Sequence, residues 1–437
     1  MGLDSPTTDD TEVTEVPQLD SAASLVKLKR DALITSFAGL SMPALAIVTS
    51  PLTARALSPS GRGDLSAVVA PTQILAWVLA FGLPTASMYF AKRFERRQLV
   101  MGAWATALVI GGGFTAAAWF FVPPYLHDHS GITVPWFRAF LIISALWVVA
   151  YVAIDLKLSH GGVIAYNVLR ILPFGLNFVG VVSLFLTNHL NLDTALASQF
   201  TSYVVWMMVV FTYTRSWPGR GYRHKVLTSQ LRYGSKVAVG TVAENIVSRL
   251  DQVLLVAIVS SEKLGIYAIA AVIAGVSQQV AYAISSSVFP RIVAAHQTGG
   301  DHETASQAMR YNVYASLLCT VVLATATPIV IPWVYGHKYS SAVWLVMLLL
   351  PGQICQNVAI VLGGRLQALG HPQVSSQGAG LAAVVTIVGL LVFIGPFGIE
   401  AAAIITSLSQ LVNMSYVMVR ERRLRGVAPS TPAIASA

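Results

Sequence analysis

The chain has 437 residues, of which 55% are hydrophobic and 11% are charged, and its mean hydropathy is +0.66. Soluble domains carry about 25% charged residues, so this composition excludes an ordinary soluble domain. The net charge of +9 comes from short basic clusters between apolar runs. Such clusters are typical of membrane-protein loops and do not indicate a nucleic-acid-binding surface. The sequence therefore predicts a membrane protein with room for about a dozen spans of roughly 20 residues.

The first residues of the chain are acidic. Residues 1–24 carry six of the 19 acidic residues and have neither a basic start nor an apolar stretch. A signal peptide needs both of these features. We therefore expect residues 1–30 to form a disordered acidic tail in the cytoplasm.

Twelve apolar runs follow this tail, and each is long enough to cross a bilayer as a helix. The runs lie at 33–54, 66–90, 100–122, 136–155, 162–186, 194–214, 236–259, 265–289, 311–334, 341–363, 377–395 and 399–419. Prolines interrupt several of them, which membrane helices tolerate where neighbouring helices or cavity water satisfy the freed carbonyl groups. The pattern predicts an all-α polytopic membrane protein with about 12 transmembrane helices.

The distribution of Lys and Arg predicts the orientation of these helices. With the N-terminus inside, 21 of the 28 basic residues fall in inside connections and 5 in outside connections, while Arg170 and Arg249 lie within spans. Short loops on the cytoplasmic side of membrane proteins carry an excess of Lys and Arg. We therefore expect both termini in the cytoplasm and a multi-pass protein of the cytoplasmic membrane.

The longest internal connection, residues 215–235, is basic and has six apolar runs on either side. It divides the chain into two halves of equal span number. We predict an N-terminal six-helix bundle over 31–214, a cytoplasmic linker over 215–235, a C-terminal six-helix bundle over 236–420 and a cytoplasmic tail over 421–437.

A weak sequence similarity between the two halves indicates that they arose by duplication. Gly63 leads into a run that contains Pro84, and Gly265 leads into a run that ends next to Pro290. Both halves would start on the same side of the membrane. The repeat would therefore be parallel, about an axis along the membrane normal.

Residues 241–252 carry charges inside a run that is otherwise apolar. On a helix with 100° per residue, one arc of roughly 160° would hold seven polar residues, which are Thr241, Glu244, Asn245, Ser248, Arg249, Asp251 and Gln252. A charge at the middle of a bilayer costs at least about 2.5–3.5 kcal/mol. We therefore expect this arc to face a protein interior or a water-filled cavity.

Polar side chains repeat at helical spacing in five other runs. They are Trp147, Tyr151 and Asp155; Tyr166, Arg170 and Asn177, with Pro173 between them; Gln278, Tyr282 and Ser285; Gln353, Gln356 and Asn357; and Thr406, Gln410 and Asn413. Interhelical hydrogen bonding, at about 0.6 kcal/mol per bond, explains most of the Gln, Asn and Ser residues. The ionisable residues favour a functional cavity, and the alternative is a structural ion pair of Arg170 with Glu244 or Asp251.

Nine residues from these faces are our candidates for substrate binding in a cavity: Arg249, Asp251, Glu244, Asn245, Arg170, Asn177, Gln278, Tyr282 and Gln353. Arginine binds phosphate groups through paired N–H donors and stays charged at physiological pH, so the two arginines suit an anionic substrate. The carboxylates suit coupling to H⁺ or Na⁺, or they offset the arginines. No connection is long enough for a catalytic domain and no GxxxxGK[ST] motif occurs, so we expect no enzymatic activity, no cofactor and no metal site.

Residues 249–292 contain an R-x-D run at Arg249 and Asp251, a Leu-Gly-x-Tyr turn at 264–267 and a Phe-Pro pair at 289–290. In this order the motifs resemble those of bacterial oligosaccharide flippases, the polysaccharide-biosynthesis exporters of the multidrug/oligosaccharidyl-lipid/polysaccharide superfamily. Residues 54–66 also look like a turn of that family. Ser58 stands there where glycine is usual in the family, and the family's tyrosine is absent.

The resemblance implies two six-helix bundles around a V-shaped, basic central cavity that works by alternating access. It implies as substrate an undecaprenyl-diphosphate-linked oligosaccharide, which a prokaryotic cell turns to the outer leaflet for its surface polysaccharide. Membrane lipids and the glycan polymerase or export machinery are the partners it implies. Two other functions of the superfamily stay open: cation-coupled multidrug export, which needs an acidic cavity, and lipid II flipping, for which fourteen spans are expected.

Overall fold

The computed structural model describes residues 22–247, 249–285, 301–369, 371 and 373–425 of the chain. All regular elements within these ranges are helical. The first half of the chain consists of α1 (Ala22–Ala80), α2 (Leu83–Phe90), α3 (Arg96–Thr106), a π-helical turn (Ala107–Gly111), α4 (Gly112–Tyr125), α5 (Thr133–Ser159), α6 (Val163–Leu186) and α7 (Leu192–Thr214).

The second half is helical as well. It consists of α8 (His224–Val247), α9 (Leu250–Val256), α10 (Ser261–Ala274, with a helical continuation to Ser285), α11 (Asp301–Val330), a π-helical turn (Ile331–Tyr335), a 3₁₀ turn (His337–Tyr339), α12 (Ala342–Ala368) and α13 (Gln373–Arg425). The helical nature of both halves confirms the predicted fold class.

Nine helical segments within the described ranges are long and apolar enough to cross a membrane. Two of them, Leu33–Phe90 and Gln373–Leu424, have 58 and 52 residues, which is more than twice the ~20 residues that one crossing needs. The helical backbone of these two segments is interrupted at Ser58 and Gly398, so each provides two spans. With α8 and α9 as a further span, the helices account for the twelve predicted crossings.

Two boundaries differ from the expectation from sequence. α1 begins at Ala22, so residues 22–30 of the expected disordered tail are helical, because this stretch is rich in Ala, Leu, Lys and Arg, which are strong helix formers. α8 begins at His224, so only residues 215–223 of the expected linker separate α7 from α8 without a helix. The remaining parts of both predicted tails, 1–21 and 426–437, lie outside the described residues.

Burial separates the helices that form the core from those that face lipid. α5 lies at the centre of the first half, where Val149, Ala150 and Ile154 are fully buried. α6 and α11 keep most of their apolar surface exposed, as Val179 and Leu318 illustrate with 61% and 65% exposure. In a membrane such side chains face lipid tails, which are as apolar as they are. The two halves pack together most extensively where α1 meets α10.

Candidate functional site

A cavity of about 400 Å³ lies among α1, α2, α5, α6 and α7, and Arg249 from the second half forms part of its wall. The lining residues are Met42, Gln73, Ile74, Trp77, Ala80, Gly82, Pro84, Thr85, Trp147, Tyr151, Asp155, Tyr166, Arg170, Pro173, Phe174, Tyr203, Trp206 and Arg249. Both halves of the chain therefore contribute side chains to one space.

Arg170 and Arg249 bring two positive charges into this cavity, one from each half. The guanidinium carbon of Arg170 lies 5.1 Å from the centre of the Tyr166 ring, a distance at which an aromatic face attracts a cation. Among the described residues, no carboxylate oxygen lies within 4.0 Å of either guanidinium group. Asp155 is the acidic residue of the described lining, so the two arginines leave this lining with an excess positive charge.

Aromatic rings form much of the remaining wall. Trp147 packs edge-on to Tyr203 with 5.1 Å between ring centres, and Tyr151 lies 5.2 Å from Trp77. The indole nitrogen of Trp147 is buried and has no hydrogen-bond partner within the described part of the chain. A buried indole N–H normally finds an acceptor. The Trp147 ring therefore lines the cavity while its N–H lies buried behind the wall.

The polar arc predicted over residues 241–252 is wrong as a single helix face. α8 ends at Val247, α9 begins at Leu250, and Arg249 between them has the non-helical angles φ −143° and ψ 7°. The step of 100° per residue applies only within a continuous helix. Arg249 therefore lines the cavity while Asp251, two residues later, lies in a different environment.

Asp251 lies in a buried cluster between α9, α10 and α13, with 6% of its surface exposed. The Tyr267 hydroxyl donates to Asp251 Oδ2, and Thr406 Oγ1 lies 3.4 Å from the same oxygen. The backbone N–H of Gln252 donates to Oδ1 at 2.8 Å. These three donors are neutral, and a carboxylate in such surroundings pays a large desolvation penalty when it is charged. Asp251 is therefore a buried ionisable group apart from the cavity.

Three other candidates also lie away from the cavity lining. Asn177 faces α7, where its Oδ1 accepts a hydrogen bond from Ser198 Oγ at 3.3 Å. Tyr282, on the continuation of α10, is 53% exposed, and Gln278 lies one turn before it on the same helix. None of the three lines the cavity described above.

The last three candidates belong to the second half. Gln353 is 6% exposed within α12, and its Oε1 has no hydrogen-bond partner in the described ranges. Glu244 and Asn245 lie in α8, and their side chains are outside what the structure describes. The pairing of Arg170 with Glu244 therefore stays a prediction, whereas Asp251 is not within ion-pair distance of Arg170.

Several lining residues were absent from the candidate set. Asp155 follows Trp147 and Tyr151 at helical spacing, so the sequence carried a signal for it. Gln73 donates to the Tyr203 hydroxyl at 3.3 Å. These two residues are 130 positions apart, and no spacing rule relates them, so only the fold brings them together.

Hydrogen bonds between the two halves close one end of the bundle, which we call the Asp64 end. His129 Nδ1 lies 2.9 Å from Asp64 Oδ1, and His129 Nε2 lies 3.0 Å from the Val256 carbonyl oxygen. Ser261 Oγ donates to Asp64 Oδ1 at 2.5 Å. Asp64 and His129 belong to the first half and the other two residues to the second, so this network joins the halves.

A second set of bonds at the Asp64 end ties α1 to the connection before α12. Arg55 Nε donates to the Val334 carbonyl oxygen at 2.7 Å, and the Tyr339 hydroxyl donates to the Ala54 carbonyl oxygen at 3.0 Å. Burial raises the pKa of Tyr339 to about 12. Tyr339 therefore stays a neutral donor at physiological pH, and this closure does not depend on its ionisation.

α1 and α10 cross at two glycines in the same region. A Cβ atom on Gly63 would lie 1.7 Å from the Ser261 carbonyl oxygen, and a Cβ atom on Gly265 would lie 1.9 Å from the Pro59 carbonyl oxygen. Gly63 thus contacts the carbonyl of the residue four before Gly265, and Gly265 contacts the carbonyl of the residue four before Gly63. Small residues at this spacing let membrane helices approach closely. Duplicated halves are expected to make such a reciprocal contact. It agrees with the sequence similarity between the regions around Gly63 and Gly265.

The cavity extends away from this closure. Asp155 and Tyr166 lie beside the α5–α6 connection, and Thr85 lies in α2, which ends before the α2–α3 connection. The 215–223 connection between the halves lies at this same end, because each span reverses the direction of the chain. We call it the linker end. The cavity is therefore separated from the Asp64 end by the closing contacts.

Comparison with known proteins identifies the family. A family model described as "Polysaccharide biosynthesis protein" matches residues 28–296. The probable low-salt glycan biosynthesis flippase Agl15 of Haloferax volcanii is 21% identical over 189 residues. That match covers 42% of this chain and 40% of the relative's length.

Solved structures show the same fold. An inward-facing multidrug resistance MATE transporter of the MOP superfamily matches with a TM-score of 0.73 and 12% identity, over 90% of this chain and all of that one. The lipid II flippase MurJ, in an inward closed conformation, matches with a TM-score of 0.70 and 13% identity, over 89% of this chain and 87% of that one. The resemblance to the flippases and the multi-pass membrane location are confirmed. The chain belongs to the polysaccharide biosynthesis protein family.

Proposed function

We propose that the protein moves a lipid-diphosphate-linked oligosaccharide across the cytoplasmic membrane by alternating access, for the synthesis of a cell-surface polysaccharide. One observation carries this proposal: two arginines from opposite halves line one cavity, and none of the described carboxylates pairs with them. The family description and the similarity to the probable low-salt glycan biosynthesis flippase Agl15 agree with this class of substrate.

The two arginines suit a diphosphate. Each guanidinium offers N–H donors in a planar fork that matches phosphate oxygens. Arg170 is held against Tyr166, and Arg249 lies on the non-helical junction between α8 and α9. A diphosphate carries negative charge on two neighbouring phosphates, so it can engage both arginines at once.

The rest of the wall suits sugars. The rings of Trp77, Tyr151 and Trp147 offer flat apolar surfaces to the C–H faces of sugar rings. The Asp155 carboxylate, which lines the cavity, can accept a hydrogen bond from a sugar hydroxyl. We infer that the glycan occupies this wall while the diphosphate lies between the arginines.

Closure at the Asp64 end and a cavity toward the linker end suit one state of an alternating-access cycle. By the predicted orientation, the linker end faces the cytoplasm, where the lipid-linked substrate is made. Delivery to the other leaflet then requires the Asp64, His129 and Ser261 contacts to open. The lipid part of the substrate stays in the bilayer during this change.

A second candidate is a cation-coupled multidrug exporter, and the Asp251 cluster is the observation that favours it. Carboxylates buried within membrane bundles often serve as binding sites for a coupling H⁺ or Na⁺. The same cluster can serve as the coupling site of a flippase, so it does not separate the two functions. The positive cavity favours an anionic cargo. A lipid II flippase is the third candidate, and its fourteen expected spans disagree with the twelve apolar runs of this sequence.

The test uses purified protein in liposomes that contain a fluorescent lipid-diphosphate oligosaccharide. Flipping is followed by the accessibility of the label to an added quencher. Arg170→Ala and Arg249→Ala should each weaken substrate binding by about 10-fold or more, because a hydrogen bond to a charged group contributes about 1.5–3 kcal/mol. Lysine at either position should restore part of the activity, because it keeps the charge and loses the fork.

Arg310→Ala is the matched control, because Arg310 is exposed on α11 and does not line the cavity. It should flip substrate at the unmodified rate. Normal flipping by Arg249→Ala would contradict the proposed site. Transport of cationic drugs, with no flipping of the labelled lipid, would favour the exporter instead.

A further inference from the structure

A second, smaller pocket of about 280 Å³ lies at the linker end, where α3 begins and α7 ends. It shares no lining residue with the cavity described above. Arg96, Arg97 and Arg215 line it together with Trp217. Among the residues that the structure describes, none of these arginines has a carboxylate oxygen within 4.0 Å. Three positive charges thus surround one small space.

Neutral groups hold two of these side chains in place. Arg96 Nη2 donates to Ser216 Oγ at 2.8 Å, and Arg97 Nε donates to the Arg220 carbonyl oxygen at 2.8 Å. Each guanidinium has five N–H donors, so most of them are left for another acceptor. Positive charges that line one small pocket repel each other. An anion in the pocket would remove this repulsion and would accept the remaining N–H groups.

The pocket lies at the level of the membrane surface. α7 has 23 residues, about the length of one crossing, so Thr214 at its end reaches the lipid–water boundary. Trp217 and Tyr213 are 50% and 56% exposed, and these residue types are enriched at the headgroup level of membranes. Met208 is 55% exposed and precedes the lining residue Thr212 by one turn on the same face of α7.

We propose that this pocket binds the phosphate headgroup of an anionic phospholipid, with its acyl chains along the Met208 face of α7. Basic pockets between transmembrane helices bind anionic headgroups, and the arginine fork fits a phosphate. Residues 215–218 of the connection between the halves form one side of the pocket. The bound lipid therefore contacts the segment that joins the two halves. This proposal does not depend on the identity of the transported substrate.

The experiment titrates the full chain, purified in a neutral detergent, with phosphatidylglycerol, phosphatidylcholine or inorganic phosphate. Native mass spectrometry counts the bound lipid, and thermal unfolding reports the effect of phosphate. We expect phosphatidylglycerol to bind more tightly than phosphatidylcholine. Arg97→Gln and Arg215→Gln should each weaken phosphatidylglycerol about fivefold, because one basic residue near an anionic lipid contributes about that factor.

Arg223→Gln is the matched control. It removes the same charge from the same end of the bundle, and Arg223 is exposed and does not line the pocket. It should leave the affinity for phosphatidylglycerol unchanged. Arg215 is itself exposed and makes no side-chain hydrogen bond within the described residues, so Arg215→Gln should fold normally even if Arg97→Gln does not.

Three results would overturn the proposal. The two lipids could bind equally well, or the control could weaken binding as much as Arg215→Gln does, which would indicate a diffuse basic surface. Inorganic phosphate could stabilise the protein with the same dependence on Arg215, which would assign the pocket to a soluble anion. Loss of phosphatidylglycerol binding in Arg215→Gln alone, with the control intact, supports a lipid headgroup site.

Discussion

Gly63→Ala should open the Asp64 end of the molecule. The new Cβ atom would lie 1.7 Å from the Ser261 carbonyl oxygen, whereas real Cβ atoms essentially never come within 3.0 Å of another heavy atom. α1 and α10 must therefore separate by at least about 1.3 Å, since the atom in contact is backbone and has no rotamer that relieves the clash. The hydrogen bonds among Asp64, His129 and Ser261 lie beside this crossing, so the separation of the helices acts directly on them.

The size of the effect follows from the hydrogen bond between Ser261 on α10 and Asp64 on α1, which spans this crossing. A shift of about 1.3 Å would lengthen this 2.5 Å contact beyond hydrogen-bond range. A hydrogen bond to a charged group contributes about 1.5–3 kcal/mol. Its loss should therefore shift the equilibrium between closed and open states about tenfold or more toward the open state.

Spin labels at His127 and Lys263 can measure this opening in the liposome-reconstituted protein. Both residues are exposed at the Asp64 end, on opposite halves, and Cys319 and Cys355 would first be replaced by serine. Gly63→Ala should broaden the label-to-label distances and move them to larger values. Gly39→Ala is the control, because it lies in the same helix and nothing lies within 4 Å of its added Cβ. Unchanged distances in a folded Gly63→Ala protein would refute the reasoning.

Two further predictions concern Ser58 and Asp251. Ser58 has φ 62° and ψ 170°, a region populated almost only by glycine, where another residue costs about 1–3 kcal/mol. Ser58→Gly should raise the thermal unfolding midpoint, because the relieved strain exceeds the ~0.5–1 kcal/mol entropic cost of glycine; a lower midpoint would contradict this. Asp251→Asn should abolish stimulation of transport by an imposed H⁺ or Na⁺ gradient while substrate binding stays normal, and retained stimulation would exclude Asp251 as the coupling group.

The span pattern could be predicted because it depends on one property, the length of apolar sequence that a bilayer requires. The unusual turn at Ser58 could also be recognised from the sequence, since the family that the chain resembles has glycine at that position. The contact between Gln73 and Tyr203 could not be recognised. Its two residues lie on α1 and α7, and their meeting depends on how those helices pack. Contacts of this kind are set by tertiary geometry, which a periodic pattern in one helix does not contain.

The helix break at Arg249 is the feature that decides how the charges of the cavity should be interpreted. In a continuous helix, Arg249 and Asp251 would lie at the two edges of one polar arc and would border the same cavity. Asp251 instead takes neutral donors at both of its oxygens, from Tyr267 and Gln252. The Arg249 charge is therefore free of Asp251 at contact distance, and together with Arg170 it outweighs Asp155, the one carboxylate among the described lining residues. A positive cavity attracts anions and repels cations, so this local departure from helix geometry supports the proposed lipid-diphosphate cargo.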